Sequence, residues 1–226
     1  MTAPALELVV ARYREDPGWL RNIPANVRLT VYDKNDTGET ALPNATPLPN
    51  VGREAHTYLY HLVTRYDSLS EWTVFCQGKP FDHAYDFHHR LRAFAAGPAT
   101  IGAFTWLGHI IDTDDADGQR LFTGWSKNDD GRGLHLRDFH RALFGTDGPE
   151  RYTFMLGAQF AVHRDLVQKQ PVAFYERALA LAVAFPDAAH CYERAWDRVF
   201  GVTGIDPDWL AGRETVYLKP IRAQPS

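Results

Sequence analysis

The sequence predicts an α/β protein with an open, largely parallel sheet flanked by helices. Three observations carry this. Residues 6–11 (LELVVA) form a short apolar run of the kind found in strands buried on both faces. Residues 48–66 (LPNVGREAHTYLYHLVTRY) open on a turn and close as an amphipathic helix. Residues 72–76 (WTVFC) then read as a further strand. With residues 27–32 (VRLTVY) as another strand, the order strand, helix, strand, helix, strand implies parallel crossovers.

The elements follow in order. The first strand ends in an abrupt polar burst at 12–16, where Asp16 can cap a short helix starting at Pro17. The second strand ends in DKNDTG, and 37–51, rich in Pro, Asn and Thr, is a loop. In the helix, Ala55, Tyr58, Leu59, Leu62, Val63 and Tyr66 follow the i, i+3, i+4, i+7 rule and make one apolar face. Pro49 and Asn50 mark the turn, Asn50 can cap the helix, and Gly52 allows close approach of the backbone. Asp67 to Ser70 is a turn. A helix is expected from Ala84 onward and a strand over 103–111. Residues 112–132 read as loop-rich, and 134–144 as a helix. The run 151–162, with Gly157 at its centre, reads as a bent strand or a strand pair. Helices follow at 171–185 and 188–200, and the tail after Gly204 is expected to wrap the surface. At 226 residues the whole chain reads as one domain.

Composition narrows the function. The formal net charge is −4 and no basic run exists, which argues against a nucleic-acid binder or a binder of anionic membranes. No apolar stretch reaches the length of a membrane span. The first residues, MTAPALELVV, do not read as a signal peptide. Cys76 and Cys191 form no CxxC pair, so a reduced, cytoplasmic protein is the expectation.

Ligands of open parallel sheets bind beyond the carboxyl ends of the strands. Here those ends are residues 12–16, 33–36 and 77–83, so three polar bursts are expected to converge with Gly52 and Arg53 on one crevice. Arg53 and Glu54 open the helix. An arginine there opposes the helix dipole, and with the free amides it would cradle a phosphate. Alternatively, Arg53 pairs with a nearby carboxylate and ties the loop down. The segment CQGKPFDH places Gln77, Asp82 and His83 at a strand end, and His83 suits a general base. The bland alternative is that Asp82 caps a helix and His83 is merely exposed. Asp112, Asp114, Asp115 and Asp117 resemble a calcium loop but lack its terminal glutamate, so a solvated loop is expected. The scattered histidines, His83, His88, His89 and His135, specify no zinc site. Gln159 interrupts an apolar run and serves either a hydroxylated ligand or the core. Glu193 is either a base or an ion-pair partner of Arg194 or Arg198.

Several segments taken together resemble a known family. ELVVARYREDPGWL, LPNVGREAHTYLYHLV, VFCQGKPFDH, GAQFAVHRDLV with QPVAFYERAL, and ERAWDRVFG, in that order, resemble domain of unknown function 3431 over most of residues 7–201. That family looks like a relative of the GT-A glycosyltransferases, so the resemblance implies a GT-A-like (Rossmann-like) sheet and a nucleotide-sugar ligand. It implies that Arg12, Tyr13 and Asp16 face the base and ribose, that Asp33 reaches the base, and that Gly52 and Arg53 lie near the diphosphate; Glu54 beside them is a further substrate- or nucleotide-binding candidate. It puts Gln77 to His83 where GT-A enzymes carry an Asp-x-Asp metal motif, which this chain lacks. A manganese or magnesium ion bound with substrate is therefore expected to be exchangeable. Gln159 and Glu193 would lie on the acceptor side.

The expected function is glycosyl transfer from a nucleotide-sugar to a hydroxyl or amine acceptor, small molecule or glycan, with Asp82, His83 and Glu193 as catalytic candidates. The alternatives are a tailoring enzyme that reuses the crevice through His83 and Glu193, and a non-catalytic nucleotide or sugar binder.

Overall fold

The computed structural model describes residues 5–36, 42, 44–125 and 132–218. Parts of the two expected loops, at 37–41, 43 and 126–131, lie outside the described residues.

The chain opens with β1 (Leu6–Arg12), a 3-10 turn at Pro17–Asn22, β2 (Arg28–Asp33), the two-residue β3 (Thr46–Pro47) and α1 (Arg53–Arg65). Next come β4 (Trp72–Gln77), α2 (Phe87–Ala96), β5 (Phe104–Trp106), β6 (Ile110–Asp115), α3 (Arg120–Trp125) and α4 (Leu136–Phe144). The rest is β7 (Arg151–Met155), β8 (Phe160–His163), α5 (Arg164–Val167), α6 (Val172–Ala184), α7 (Ala188–Val199) and β9 (Thr215–Tyr217).

The main sheet has the order β3-β2-β1-β4-β8-β5. β1, β2, β3 and β4 run parallel, and β8 is antiparallel to both β4 and β5. This is the expected α/β class, with an open, mostly parallel sheet flanked by helices. β1 is buried along its whole length because both faces are covered. Val9 and Ala11 pack toward Tyr58, Leu59 and Leu62 of α1, while Leu6, Leu8 and Val10 pack with Phe87 and Leu91 of α2. Glu7 shares the α1 face. Its carboxylate accepts from Thr30 Oγ1 at 2.6 Å and Ser70 Oγ at 2.8 Å, so the buried acid has hydrogen-bond donors. α1 is itself covered by α6 and α7, which is why His56, Thr57 and His61 are buried beside its apolar face.

Several expectations change. Asp16 caps the 3-10 turn through Gly18 N at 2.9 Å, as read, but α1 is capped by Gly52 rather than Asn50. The single strand expected at 103–111 is two strands in different sheets, β5 and β6. The acidic stretch 112–115 is strand, not loop. Asp112 pairs with Arg120, and Asp114 accepts from Arg194 Nε at 2.8 Å, so these carboxylates are buried with guanidinium partners. The run 151–162 is two strands, one of its two expected readings, but they part company: β7 belongs to a small antiparallel sheet of order β7-β6-β9, and β8 to the main sheet. The tail contributes β9 to that small sheet, pairing Val216 with Ile111.

Candidate functional site

Winding of the sheet reverses at β1, whose neighbours β2 and β4 lie on opposite sides. The register places Arg12 opposite Asp33 and Ala11 opposite Gln77, so the carboxyl ends of three parallel strands meet at this switch point. The loops beyond them, with the start of α1, enclose a crevice of two lobes.

The first lobe, about 190 Å³, is lined by Ala11, Arg12, Tyr13 and Glu15 after β1, Lys34 after β2, and Asn50 before α1. Arg53, Glu54 and Gln77 complete it, and the same three line a second lobe of about 330 Å³. Asp82, His83, His190, Glu193 and Arg194 add polar groups to the second lobe, over an apolar wall of Ile110, Leu121, Phe122 and Leu156.

The start of α1 is built for close packing. Gly52 has φ of +58°, and a Cβ there would stand 2.5 Å from the Ala182 carbonyl of α6. Close approach at Gly52 is therefore to α6, not to a ligand. Arg53 also has a positive φ, +48°. Such backbone costs a non-glycine residue about 1–3 kcal/mol, and it recurs at His135, Ala158, Asp187 and Ala211. Lys34 holds this turn: its ammonium donates to the carbonyls of Val51 (2.6 Å) and Arg53. Burial lowers the Lys34 pKa to about 8, against the pull of Glu54. Arg53 Nη1 donates to His190 Nε2 at 3.1 Å, and its side chain is 65% exposed. Burial raises the Glu54 carboxyl to about 7, only partly offset by Arg53, and Glu193 adds to the rise. Burial lowers the pKa of both His83 and His190.

The sequence candidates divide accordingly. Arg12, Tyr13, Arg53, Glu54, Gln77, Asp82, His83 and Glu193 line the crevice. Within it, Arg12 is engaged: Nη1 donates to Asp33 at 2.6 Å and Nε to the Glu15 carbonyl. Asp33 is buried by that pair and also accepts from Asn35 N, so it is a support for Arg12 rather than a group facing a base. Asp16 is exposed and spent on its cap. Gln159 is fully buried and donates to the Pro80 carbonyl at 3.1 Å, bracing the 77–83 loop from the core, while its Oε1 meets no hydrogen-bond partner among the described residues. Glu193 Oε1 accepts from Gly157 N at 2.6 Å, and Oε2 lies 3.5 Å from Arg194. Asp82 is exposed and ion-pairs with Lys79 at 3.0 Å. Sequence reasoning missed Lys34, which lay inside the polar burst 33–36, His190, which lay in the helix expected at 188–200, and the apolar wall, of which Leu121 and Phe122 lay in the stretch read as loop-rich.

A divalent cation in the GT-A manner needs convergent oxygen ligands. The end of β4 offers one carboxylate, Asp82, held by Lys79 beside the Gln77 amide. Among the described residues no three His, Cys, Asp or Glu side chains are grouped to hold a metal ion. This donor set does not fit a resident cation.

Fold and crevice together define an α/β protein with a two-lobed crevice at the switch point of a mostly parallel sheet. Residues 8–95 match the family described as Protein of unknown function (DUF3431). The matched segment holds every residue of the first lobe and stops short of the second lobe's Ile110 to Arg194. No curated protein matches the chain. Among solved structures, CMP:2-keto-3-deoxy-manno-octonic acid synthetase complexed with CTP is similar at 16% identity, over 79% of this chain and 83% of that one, with a TM-score of 0.34. A likeness that loose carries no argument about function. Among the described residues, no helix is long and apolar enough to cross a membrane.

Proposed function

We propose that the crevice binds a nucleotide-sugar and transfers its sugar to a hydroxyl or amine acceptor. The supporting observation is the meeting of Lys34, Arg53 and the start of α1 at the carboxyl edge of parallel strands, beside a second lobe that shares Arg53, Glu54 and Gln77. Gly52 offers no side-chain cap, so the first-turn amides of α1 add to the cationic groups as partners for phosphate. In this reading the nucleotide diphosphate occupies the first lobe and the acceptor the second, with Arg53 meeting the charge that develops on the leaving diphosphate.

A second reading, binding without turnover, is favoured by one observation. Two of the groups expected to be catalytic are engaged, Asp82 with Lys79 and Glu193 with Gly157 N.

A thermal-shift screen tests both. UDP-glucose, UDP-N-acetylglucosamine, GDP-mannose and dTDP-glucose are each added with and without manganese. A ligand at 100 times its Kd stabilises the fold by about 2.7 kcal/mol, which raises Tm by several degrees. A rise with sugar turnover supports transfer, and a rise without turnover supports the binder. No rise with any compound removes the nucleotide-sugar reading and leaves other chemistry in the crevice.

A further inference from the structure

We propose that Glu54 is the proton-exchanging group of the crevice, taking the proton of the acceptor as the acceptor oxygen bonds to the sugar. The proposal rests on the nucleotide-sugar reading and deepens it.

The geometry selects this residue. With the donor in one lobe and the acceptor in the other, the reacting atoms lie where the lobes join. Three residues line both lobes: Arg53, Glu54 and Gln77. A guanidinium stays protonated and an amide does not titrate, so only Glu54 can take up and release a proton. Its side chain is 12% exposed, open to a ligand yet largely out of water, and its one ion-pair contact, Oε2 to Arg53 Nε, is long at 3.9 Å. The other titratable groups of the crevice are placed less well. Lys34, Glu15 and Tyr13 line only the first lobe, and Lys34 is bonded to two carbonyls. His83, Asp82, His190 and Glu193 line only the second, where Asp82 is tied to Lys79, Glu193 to Gly157 N, and His190 to Arg53.

The charged groups facing Glu54 are Arg53 on its own helix, Lys34 after β2 and Glu193 on α7. Burial, reinforced by Glu193, puts its carboxyl at about 7, where a general base works best at neutral pH. In the step, the acceptor O–H bond breaks and its proton goes to the Glu54 carboxylate. The acceptor oxygen bonds to the anomeric carbon. The bond from that carbon to the diphosphate breaks, its electron pair leaves on the nucleoside diphosphate, and Glu54 returns its proton to solvent.

The test replaces Glu54 by glutamine and follows hydrolysis of the four nucleotide-sugars, with water as the acceptor, alongside calorimetric donor Kd. For Glu54→Gln the expected loss of hydrolysis is about 10²–10⁴-fold, with the Kd within about twofold of wild type. The wild-type rate should rise through about pH 7 and level off, and Glu54→Gln should lose that rise. If Glu54→Gln does not fold, Glu54→Asp keeps a carboxylate one methylene short, and an intermediate loss is expected. Donor binding with unchanged hydrolysis in the variant overturns the role of Glu54 alone. Donor binding with no hydrolysis by the wild type overturns it in favour of the binder. No binding of any donor overturns the reading on which it rests.

Discussion

The guanidinium of Arg53 donates to His190 Nε2 at 3.1 Å, joining the first turn of α1 to the first turn of α7 across the second lobe. A guanidinium has no lone pair to offer, so this nitrogen of His190 must be unprotonated. Burial, aided by Arg53 and Arg194 and opposed by Glu193, lowers the His190 pKa and keeps the ring in that form. His190 thus aims a long, exposed side chain without neutralising it. His190→Ala should leave Arg53 charged but unaimed. Nucleotide affinity should fall about 2–10-fold, the worth of one hydrogen bond, less than on losing Arg53 itself. Calorimetry with the tightest-binding nucleotide-sugar measures this, and an unchanged Kd would show that the aiming is immaterial.

The turn between β7 and β8 is held by Glu193 and seated on His83. Gly157 has φ of +101°, and a Cβ there would stand 2.3 Å from His83 Cβ. Gly157→Ala combines left-handed strain with a clash against the crevice wall. A loss of about 2–4 kcal/mol is expected, read as a lower urea midpoint with unchanged slope. A loss under about 0.5 kcal/mol, the range of ordinary surface changes, would mean that His83 moves aside freely.

Two buried histidines on α1 contribute to the loss of stability in acid. Burial lowers His56 and His61 to about 4 from the usual 6.5. Between those values the unfolded chain takes up protons that the fold refuses, so stability is full above about pH 6.5 and falls as pH drops toward 4. Each histidine contributes on the order of 2–3 kcal/mol to this fall. Glu54, raised to about 7 from 4.5, acts in the opposite sense: its protonated form favours the fold below pH 7 and that contribution is lost as pH rises through 7. Urea midpoints from pH 7.5 to 4.5 should therefore decline, more steeply in Glu54→Gln and less steeply in His61→Gln. A flat profile in the wild type would contradict the burial of both rings.

What could be read from the sequence was what local periodicity encodes. The β1 run, the Asp16 cap and the apolar stripe Ala55, Tyr58, Leu59 and Leu62 each depend on neighbours a few residues away, and each is present. Strand 112–115 was hidden because an aspartate is buried only when something distant neutralises it. For Asp114 that partner is Arg194, 80 residues on. The break at Gly157 in the run 151–162 was legible, but the change of sheet was not, because apolarity does not say which sheet a strand joins. The first lobe was largely legible, since its residues follow strand ends or open α1. The second was legible in part: Gln77, Asp82, His83 and Glu193 were candidates, but its wall joins Ile110 of β6, Leu121 and Phe122 of α3, Leu156 after β7 and His190 of α7, and no local pattern says that these meet.

The most direct test of the nucleotide-sugar reading is calorimetric titration of the best-binding nucleotide-sugar into wild type, Arg53→Lys and Arg53→Ala. Arg53 is one of the three residues that line both lobes, and its fork suits a diphosphate better than an ammonium does. Loss of a charged hydrogen-bonding partner removes about 1.5–3 kcal/mol, so Arg53→Ala should bind about 10–100-fold more weakly, with Arg53→Lys between the two. Unchanged affinity in Arg53→Ala would contradict the account and leave Arg53 as a tie between α1 and α7.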